Sequence, residues 1–297
     1  MRLAIGFFDG VHLGHQRILA GADAALTFRE HPLSVLAPDK APPLLMTPEE
    51  RFAAIAAALN GKPETFPPSH LPTFPPLVRA LDFTRELAAE PAETFAARLG
   101  RDYPDLEAIL CGPNWRFGAG GAGDADFLRA HGFTVEVVPL EELDGAPVSS
   151  TRIRAALQAG DLPAANAMLG RPFAVAGAVV SGKGEGRKLG FPTINVQPTN
   201  PCLARLLPLG VYVADTAWGR AVANWGQAPT MVEQAWTSPV LEVHVVGRWE
   251  GEKVGRGAGG KVEISLLRFL RPERRFATVE ALREQIKADV FSASHSP

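Results

Sequence analysis

The sequence predicts an α/β region built on a parallel sheet, followed by an antiparallel β-barrel or sandwich and one closing helix. Up to about residue 160, short apolar runs typical of buried strands alternate with helical segments, as in parallel sheets covered by helices. After about residue 165, strand-like runs recur at short intervals between glycines and prolines, without a long helix. That spacing is typical of antiparallel folds.

In the first region, apolar periodicity and the positions of caps, glycines and prolines locate the elements. Strands are predicted at 2–6, 25–28, 106–112 and 133–139, and helices at 14–22, 48–59, 91–99, 124–131 and 149–158. The helix at 48–59 has a well-defined start, since Thr47 precedes Pro48 and Glu50 stands three residues after the cap. Residues 61–76 hold six prolines and are expected to be extended and exposed.

In the second region, the strand-like runs are short and are frequently separated by glycines and prolines. Strands are predicted at 173–181, 193–197, 210–216, 220–225, 239–246 and 261–267. A single helix is predicted at 278–289, and Thr278 is its N-cap.

Composition limits the class of protein. A length of 297 residues is comfortable for two domains, and the net charge of −2 argues against a dedicated nucleic-acid binder. Residues 1–160 hold 14 Lys and Arg against 20 Asp and Glu, whereas residues 161–297 hold 16 against 12, which favours two units with different roles. Cys111 and Cys202 form no disulfide framework, and no apolar run reaches the ~18–20 residues of a membrane helix. We therefore expect a cytoplasmic protein without membrane or nucleic-acid partners.

The segment GFFDGVHLGHQ, residues 6–16, follows the first strand and begins the first helix. His12 and His15 are three residues apart, so both imidazoles lie on one helical face. The amides of a helix start bind phosphate, and Gly10 and Gly14 allow a ligand close to the backbone. Two histidines there could stabilise a phosphorus transition state. From spacing alone, a turn with two solvated histidines is an equal alternative.

The eleven residues together are more specific. They resemble the signature of the nucleotidylyltransferase superfamily, in the form found in bacterial bifunctional riboflavin kinase/FAD synthetases, with Phe7 where Asn is common. The His-x-Gly-His element is intact, and no lysine-rich loop typical of aminoacyl-tRNA synthetases is present.

Three further segments of the first region resemble the same family. Residues 27–32 contain His31, for which both a plain loop position and a direct role remain open. Residues 112–124 form a Gly-rich loop, in which Gly121 stands where the family frequently has Arg. Residues 148–154 resemble the helix start that binds the triphosphate in the family. The resemblance implies a Rossmann-like domain in which His12 and His15 are catalytic. It assigns ATP and phosphate binding to Gly6, Phe8, Asp9, Gly10, Gly14, Asn114, Ser149, Ser150, Thr151 and Arg154.

The Gly-rich basic run from Val179 to Asn195 precedes a strand and lacks the order of a Walker A loop. By composition alone it is a flexible hairpin. The run resembles the riboflavin kinase signature, with Ile194 where Ala is usual. The resemblance implies a riboflavin-kinase-type barrel with a C-terminal helix, in which Thr193 and Asn195 hold Mg²⁺. It assigns ATP or flavin binding to Gly182, Lys183, Gly186, Arg187, Gly190, Pro192, Thr193, Asn195 and Arg271.

Later segments extend this resemblance. Residues 210–212, 224–230, 241–244 and 270–276 follow the family pattern, whereas Ala228 and residues 247–260 depart from it. Glu242 could accept the proton of a flavin hydroxyl as general base, although a solvated strand position is the alternative.

The resemblance implies domains at 1–163 (FMN adenylyltransferase) and 164–297 (riboflavin kinase). The expected enzyme phosphorylates riboflavin with ATP to FMN, then adenylylates FMN with a second ATP to FAD and pyrophosphate. Two alternatives remain: a nucleotidylyltransferase for another phosphorylated acceptor, and a decayed flavin-binding or regulatory homologue. The oligomeric state is not predicted.

Overall fold

The computed structural model describes residues 1–61, 77–182, 184–226, 239–247 and 260–295. The proline-rich segment, Lys183, Ala228 and most of residues 247–260 therefore lie outside the described residues. The chain divides into two compact units, residues 1–150 and residues 151–297. None of the described helices is both long and apolar enough to cross a membrane.

The first unit is an α/β structure. Its strands are β1 (Arg2–Ile5), β2 (Ala24–Phe28), β3 (Val78–Leu81), β4 (Ala108–Cys111), β5 (Val135–Val137), β6 (Glu142–Leu143) and β7 (Ala146–Pro147). Its helices are α1 (Leu13–Ala20), α2 (Pro32–Leu36), α3 (Pro48–Leu59), α4 (Arg85–Ala88), α5 (Ala92–Asp102) and α6 (Ala125–Ala130), and α7 (Ser150–Gln158) begins at the junction of the units.

The main sheet of this unit is parallel and has the strand order β3-β2-β1-β4-β5. All its carboxyl ends meet at one edge. The strand order reverses between β1 and β4, and ligands of open α/β sheets bind outside the carboxyl ends at such a reversal. The loops that follow β1 and β4 are therefore placed to form a site.

The second unit is a closed six-stranded antiparallel barrel with helices. Its strands are β8 (Phe173–Val180), β9 (Ile194–Pro198), β10 (Gly210–Thr216), β11 (Gly219–Gly226), β12 (Val240–Val245) and β13 (Lys261–Pro272). Its helices besides α7 are α8 (Leu162–Leu169), α9 (Glu185–Lys188), α10 (Leu203–Leu206) and α11 (Val279–Ser294). The strand order is β10-β11-β12-β9-β8-β13. Side chains alternate between buried and less buried along β8, as expected when one face of each strand fills the barrel.

The predicted fold class is confirmed, and all six predicted barrel strands are present. Strands β3, β6 and β7 and helices α2, α4, α8, α9 and α10 were not predicted. Helix α8 packs against β8 and β13; Asp161 caps its start, and Gly170, with φ of 71°, ends it. The predicted boundary at residue 163 lies inside α8 and stays a prediction.

Candidate active sites

The loop between β1 and α1 has an unusual backbone. Phe8, Gly10 and Val11 have φ angles of 58°, 83° and 39°, which non-glycine residues adopt only when the surroundings enforce them. A Cβ on Gly6 would lie 2.9 Å from the Phe8 ring, so a larger residue there would displace that buried ring. The loop is therefore held in one shape by Gly6 and the buried Phe8.

The two histidines of this loop lie against each other. His12 is the N-cap of α1, and its Nδ1 accepts a hydrogen bond from the amide of His15 at 3.4 Å. The rings stack with centroids 3.6 Å apart, and the His15 ring also meets the Phe8 ring edge-on at 5.3 Å. Sequence spacing predicted this proximity, and the structure brings the pair together.

Burial, and then the neighbouring His12, lowers the pKa of His15 well below its ordinary value. His15 is therefore neutral at neutral pH. Its Nδ1 is buried and has no hydrogen-bond partner among the described residues. Because Nδ1 of His12 accepts a hydrogen bond, a ring proton of His12 lies on Nε2, where it can be donated. The pair can therefore offer ring N–H groups to an anion.

Asp9 is a buried part of the same loop. Its two carboxylate oxygens accept from the amide of Leu45 at 3.1 and 3.2 Å. Its carbonyl accepts from the hydroxyl of Ser150 at 2.9 Å, which ties the start of α7 to this loop. Asp9 thus braces the loop, and its predicted role in ATP binding stays a prediction.

The other predicted residues of the first site lie in neighbouring segments. Asn114 is exposed directly after the β4 strand, beside the strand-order reversal. Ser149 and Ser150 end the first unit, whereas Thr151 and Arg154 belong to the second unit. The aromatic rings of the Gly-rich loop pack inward, since Phe117 is buried and stacks on Trp115 at 4.9 Å.

Arg51 on α3 was not predicted as a site residue. Its guanidinium is fully buried, and its Nη2 donates to the carbonyls of Phe28 and Arg29, where β2 ends. Its Cζ lies 3.9 Å from the centroid of the Phe7 ring. The Phe7 and His31 rings form a T-shaped pair with centroids 4.8 Å apart, and His31 caps α2 by accepting from the amide of Leu33. No sequence signal separates Arg51 from a solvated helix charge.

The second site lies on one face of the barrel wall. In register, Glu242 of β12 stands opposite Asn195 of β9 on one side and Asn224 of β11 on the other. All three side chains are half-buried, while Leu241 and Val243 face the barrel interior. A carboxylate therefore lies between two amides on the outer face.

The Gly-rich loop lies against this face. A Cβ on Gly182 would lie 1.9 Å from the Asn195 amide nitrogen, and one on Gly186 would lie 3.2 Å from the Thr193 hydroxyl. Only glycine lets the loop backbone come so close to these side chains. Pro192 accepts a hydrogen bond from Nδ1 of His244 at 2.9 Å, which anchors the end of the loop to β12.

Arg187 and Gly190, also predicted, are exposed in this loop. Burial, and then the charge of Glu273, raises the pKa of the Glu242 carboxyl. Glu273 lies nearby, because its Oε1 accepts from the Asn224 amide at 3.5 Å. A raised pKa suits a group that takes up a proton during a reaction.

Arg271 makes a bidentate pair with Asp289 of α11. Its Nε and Nη2 donate to the carboxylate, with Nη2 at 2.7 Å from Oδ2, and Gln285 donates to the same carboxylate at 2.8 Å. The guanidinium therefore joins β13 to α11. Its predicted role in substrate binding stays a prediction.

Comparisons with known proteins follow the division into two units. A family model described as FAD synthetase matches residues 1–59 and 77–152, and one described as riboflavin kinase matches residues 169–296. A protein of Pseudomonas fluorescens named bifunctional riboflavin kinase/FMN adenylyltransferase is 36% identical over 97% of this chain and 90% of its own length. The chain belongs to the bifunctional riboflavin kinase/FMN adenylyltransferase family.

Other relatives agree with this membership. Proteins of the same name from Escherichia coli K12 and Bacillus subtilis 168 are each 31% identical, over 98% and 97% of this chain and 91% and 89% of their own lengths. The crystal structure of a macrolide-efflux protein from Streptococcus pneumoniae is similar in fold, with a TM-score of 0.78 and 26% identity over 100% of this chain and 94% of that one. The expected pairing of riboflavin kinase with FMN adenylyltransferase activity, with ATP as substrate, is confirmed for this family member.

Proposed function

We propose that this chain converts riboflavin into FAD in two steps, each at its own site. The observation that carries the proposal is the presence of two separate sites in one chain. The first is a stacked histidine pair at the start of a helix, and the second is a half-buried carboxylate between two amides on a barrel wall.

In the adenylyl transfer, a phosphate oxygen of FMN attacks the α-phosphorus of ATP. A P–O bond forms there while the bond to the β-phosphate breaks, and pyrophosphate leaves. Nε2–H of His12, an N–H of His15 and the first amides of α1 donate to the oxygens that gain charge in the transition state. No protein nucleophile is needed. The family resemblance implies that Ser149, Ser150, Thr151 and Arg154 bind the triphosphate, and that role stays a prediction.

In the phosphorylation, the 5′-hydroxyl of riboflavin attacks the γ-phosphorus of ATP and ADP leaves. Glu242 accepts the hydroxyl proton, and its raised pKa favours that transfer. Asn195 and Asn224 flank the carboxylate and orient it and the substrate hydroxyl. Gly182 and Gly186 bring backbone amides over the phosphates.

The residues around Thr193 fit a magnesium ion. The Thr193 hydroxyl and the Asn195 amide oxygen are hard oxygen donors, and they lie where Cβ atoms of the loop would otherwise intrude. In the described part of the chain no three His, Cys, Asp or Glu side chains could enclose a metal, so substrate phosphates would complete the coordination. When bound, Mg²⁺ neutralises charge on the phosphates.

We also propose two functional domains, an FMN adenylyltransferase at residues 1–163 and a riboflavin kinase at residues 164–297. The proposed boundary is supported by the interval between the two family-model matches, which end at residue 152 and resume at residue 169. A cytoplasmic location is supported by Cys111 and Cys202, which do not form a disulfide.

The test is an incubation of the chain with riboflavin, ATP and Mg²⁺, followed by chromatographic separation of the flavins. FMN and FAD should both accumulate. Appearance of neither would overturn the proposal, and pyrophosphate release without flavin would favour adenylylation of another phosphorylated acceptor.

Two variants assign the steps to their sites. Glu242→Gln should lower FMN formation about 10²–10⁴-fold and leave FMN-to-FAD conversion intact, since only the base is lost. His12→Asn retains a side chain that can cap α1 and should do the reverse, losing about 10²–10³-fold in adenylyl transfer. His131→Asn, at the exposed histidine that follows α6 as its C-cap, is the matched control. Loss of both activities in either variant would contradict two separate sites.

A further inference from the structure

Arg51 is a buried cation whose hydrogen bonds are incomplete. The side chain is 0% exposed, and its Nη2 donates to the carbonyls of Phe28 and Arg29, the latter at 2.9 Å. Its Nε and Nη1 are buried and have no hydrogen-bond partner among the described residues. Burying unpaired donors of a cation is costly, so a packing role alone does not account for an arginine here.

The guanidinium also supports the start of the loop that carries the histidine pair. Its Cζ lies 3.9 Å from the centroid of the Phe7 ring, a cation–π contact, and the Phe7 ring meets His31 edge-on. The carbonyl of Phe7 accepts from the hydroxyl of the fully buried Thr27 at 3.2 Å. The next residue, Phe8, has the positive φ at which the loop leaves the sheet. Arg51 therefore braces the residue from which the loop begins.

The charge of Arg51 matters because the loop itself contains no lysine or arginine. Residues 6–16 contain no Lys or Arg, they include Asp9, and His15 is neutral. Burial lowers the pKa of Arg51 to about 10, which leaves it cationic at neutral pH, and Asp9 is the largest of the nearby charges that oppose this lowering. A permanent positive charge therefore lies against this loop.

We propose that Arg51 is a positioning residue for adenylyl transfer: it holds Phe7 beneath the Gly6–His15 loop and supplies the permanent positive charge that attracts a substrate phosphate group. The inference rests on the proposed function of this loop. The phosphate group belongs either to FMN or to ATP. A raised KM for FMN in variants without the charge indicates the first source, and a raised KM for ATP indicates the second.

The experiment compares the full chain with Arg51→Met and Arg51→Gln, which remove the charge, and Arg51→Lys, which keeps it. The matched control is Arg98→Met on α5, where an arginine also lies over a phenylalanine ring, 5.2 Å from the centroid of Phe95, but pairs with Glu90. FAD formation is measured with FMN and ATP varied in turn and at several ionic strengths. Riboflavin phosphorylation by the same chain is the internal control.

Both neutral variants should lose at least tenfold in kcat/KM for adenylyl transfer, through a raised KM for FMN or for ATP, with a weaker dependence on ionic strength. Arg51→Lys should stay within about threefold of the parent chain. Riboflavin phosphorylation and Arg98→Met should be unchanged. A purely structural role would not move the ionic-strength dependence and would not be rescued by lysine.

Neutral variants within twofold of the parent, or Arg51→Lys as impaired as Arg51→Gln, would overturn the inference. If Arg51→Met does not fold, the comparison of Arg51→Gln with Arg51→Lys decides. If the parent chain makes no FAD, the proposed function fails, and calorimetric binding of pyrophosphate decides this inference separately. Weaker binding by both neutral variants, with binding retained in Arg51→Lys, supports it, and equal binding in all variants overturns it.

Discussion

At the scale of single residues, Glu242 and Glu273 form a pair of neighbouring carboxylates with different tasks. Glu242 is half-buried on the barrel wall, whereas Glu273 is exposed at the end of β13 and hydrogen-bonded to Asn224. The negative charge of Glu273 favours the protonated form of Glu242, in addition to the effect of burial. Glu273 should therefore affect the pH dependence of riboflavin phosphorylation through Glu242, without needing to contact the substrate.

Glu273→Gln should move the acidic limb of the kinase pH profile to lower pH. The removed negative charge had raised the pKa of Glu242, so its loss lowers that pKa, and the carboxylate remains ionised in more acidic solution. The measurement is kcat/KM for riboflavin phosphorylation between about pH 4 and 8.

Glu284→Gln, at an exposed carboxylate of α11 that pairs with Lys287, is the control and should leave the profile in place. An acidic limb that stays at the same pH in Glu273→Gln, or moves upward, would contradict the role given to Glu273.

Some residues of the candidate sites could be predicted from the sequence, and Arg51 could not. His12, His15 and Glu242 were predicted because each lies in a short contiguous pattern whose chemistry is local. Arg51 was not, because its meaning depends on the end of β2 and on Phe7, which are distant in sequence. An arginine on an amphipathic helix is ordinarily solvated, and only tertiary packing distinguishes a buried one.

At the scale of elements, the pair between Arg271 and Asp289 fixes α11 on the barrel. Their side chains are 18% and 7% exposed, and the pair is bidentate. Removing one partner of such a pair leaves the other partly buried and uncompensated.

Asp289→Ala should therefore lower the free energy of unfolding of the second unit by about 3 kcal/mol in urea titrations. The double variant Arg271→Met/Asp289→Leu should recover most of that loss, since apolar side chains of similar volume replace both charges. Glu284→Ala breaks an exposed pair on the same helix and should cost no more than about 0.5 kcal/mol.

Equal effects of Asp289→Ala and Glu284→Ala would show that the pair does not hold α11. A double variant that is stable but has a sharply raised KM for riboflavin or ATP would instead support the predicted role of Arg271 in binding.

Elements also differ in how well the sequence predicted them. Both ends of helix α3 were predicted correctly, and Thr47 and Glu50 form the capping box that was expected at its start. Strand β3 was missed because the exposed Arg79 interrupts its short apolar run, whereas β4, of the same length, is apolar and buried throughout. Helix α8 was missed because its almost wholly apolar sequence shows no periodic polar face, although its caps were present.

At the scale of the whole molecule, the two activities lie in units that share one intermediate, FMN. FMN leaves one site as product and enters the other as substrate. Nothing in the chemistry of either step requires both sites to belong to the same polypeptide chain.

A mixture of Glu242→Gln and His12→Asn proteins should therefore convert riboflavin into FAD, although neither should do so alone. His12→Asn protein supplies FMN, and Glu242→Gln protein adenylylates it. The measurement is FAD formation at several protein concentrations. A mixture that accumulates FMN but makes no FAD, while Glu242→Gln protein still converts added FMN, would show that the intermediate must stay on one chain.

The closed barrel has a consequence for how the chain is made. Strand β13 pairs with both β8 and β10, so the barrel cannot close fully until residue 272 has been synthesised. The parallel sheet of the first unit needs nothing beyond residue 137. Because domains fold as units during synthesis, the adenylyltransferase unit can mature on the ribosome while the barrel is still an open sheet with two unpaired edges. The kinase unit is then the part of the nascent chain that remains exposed to aggregation the longest.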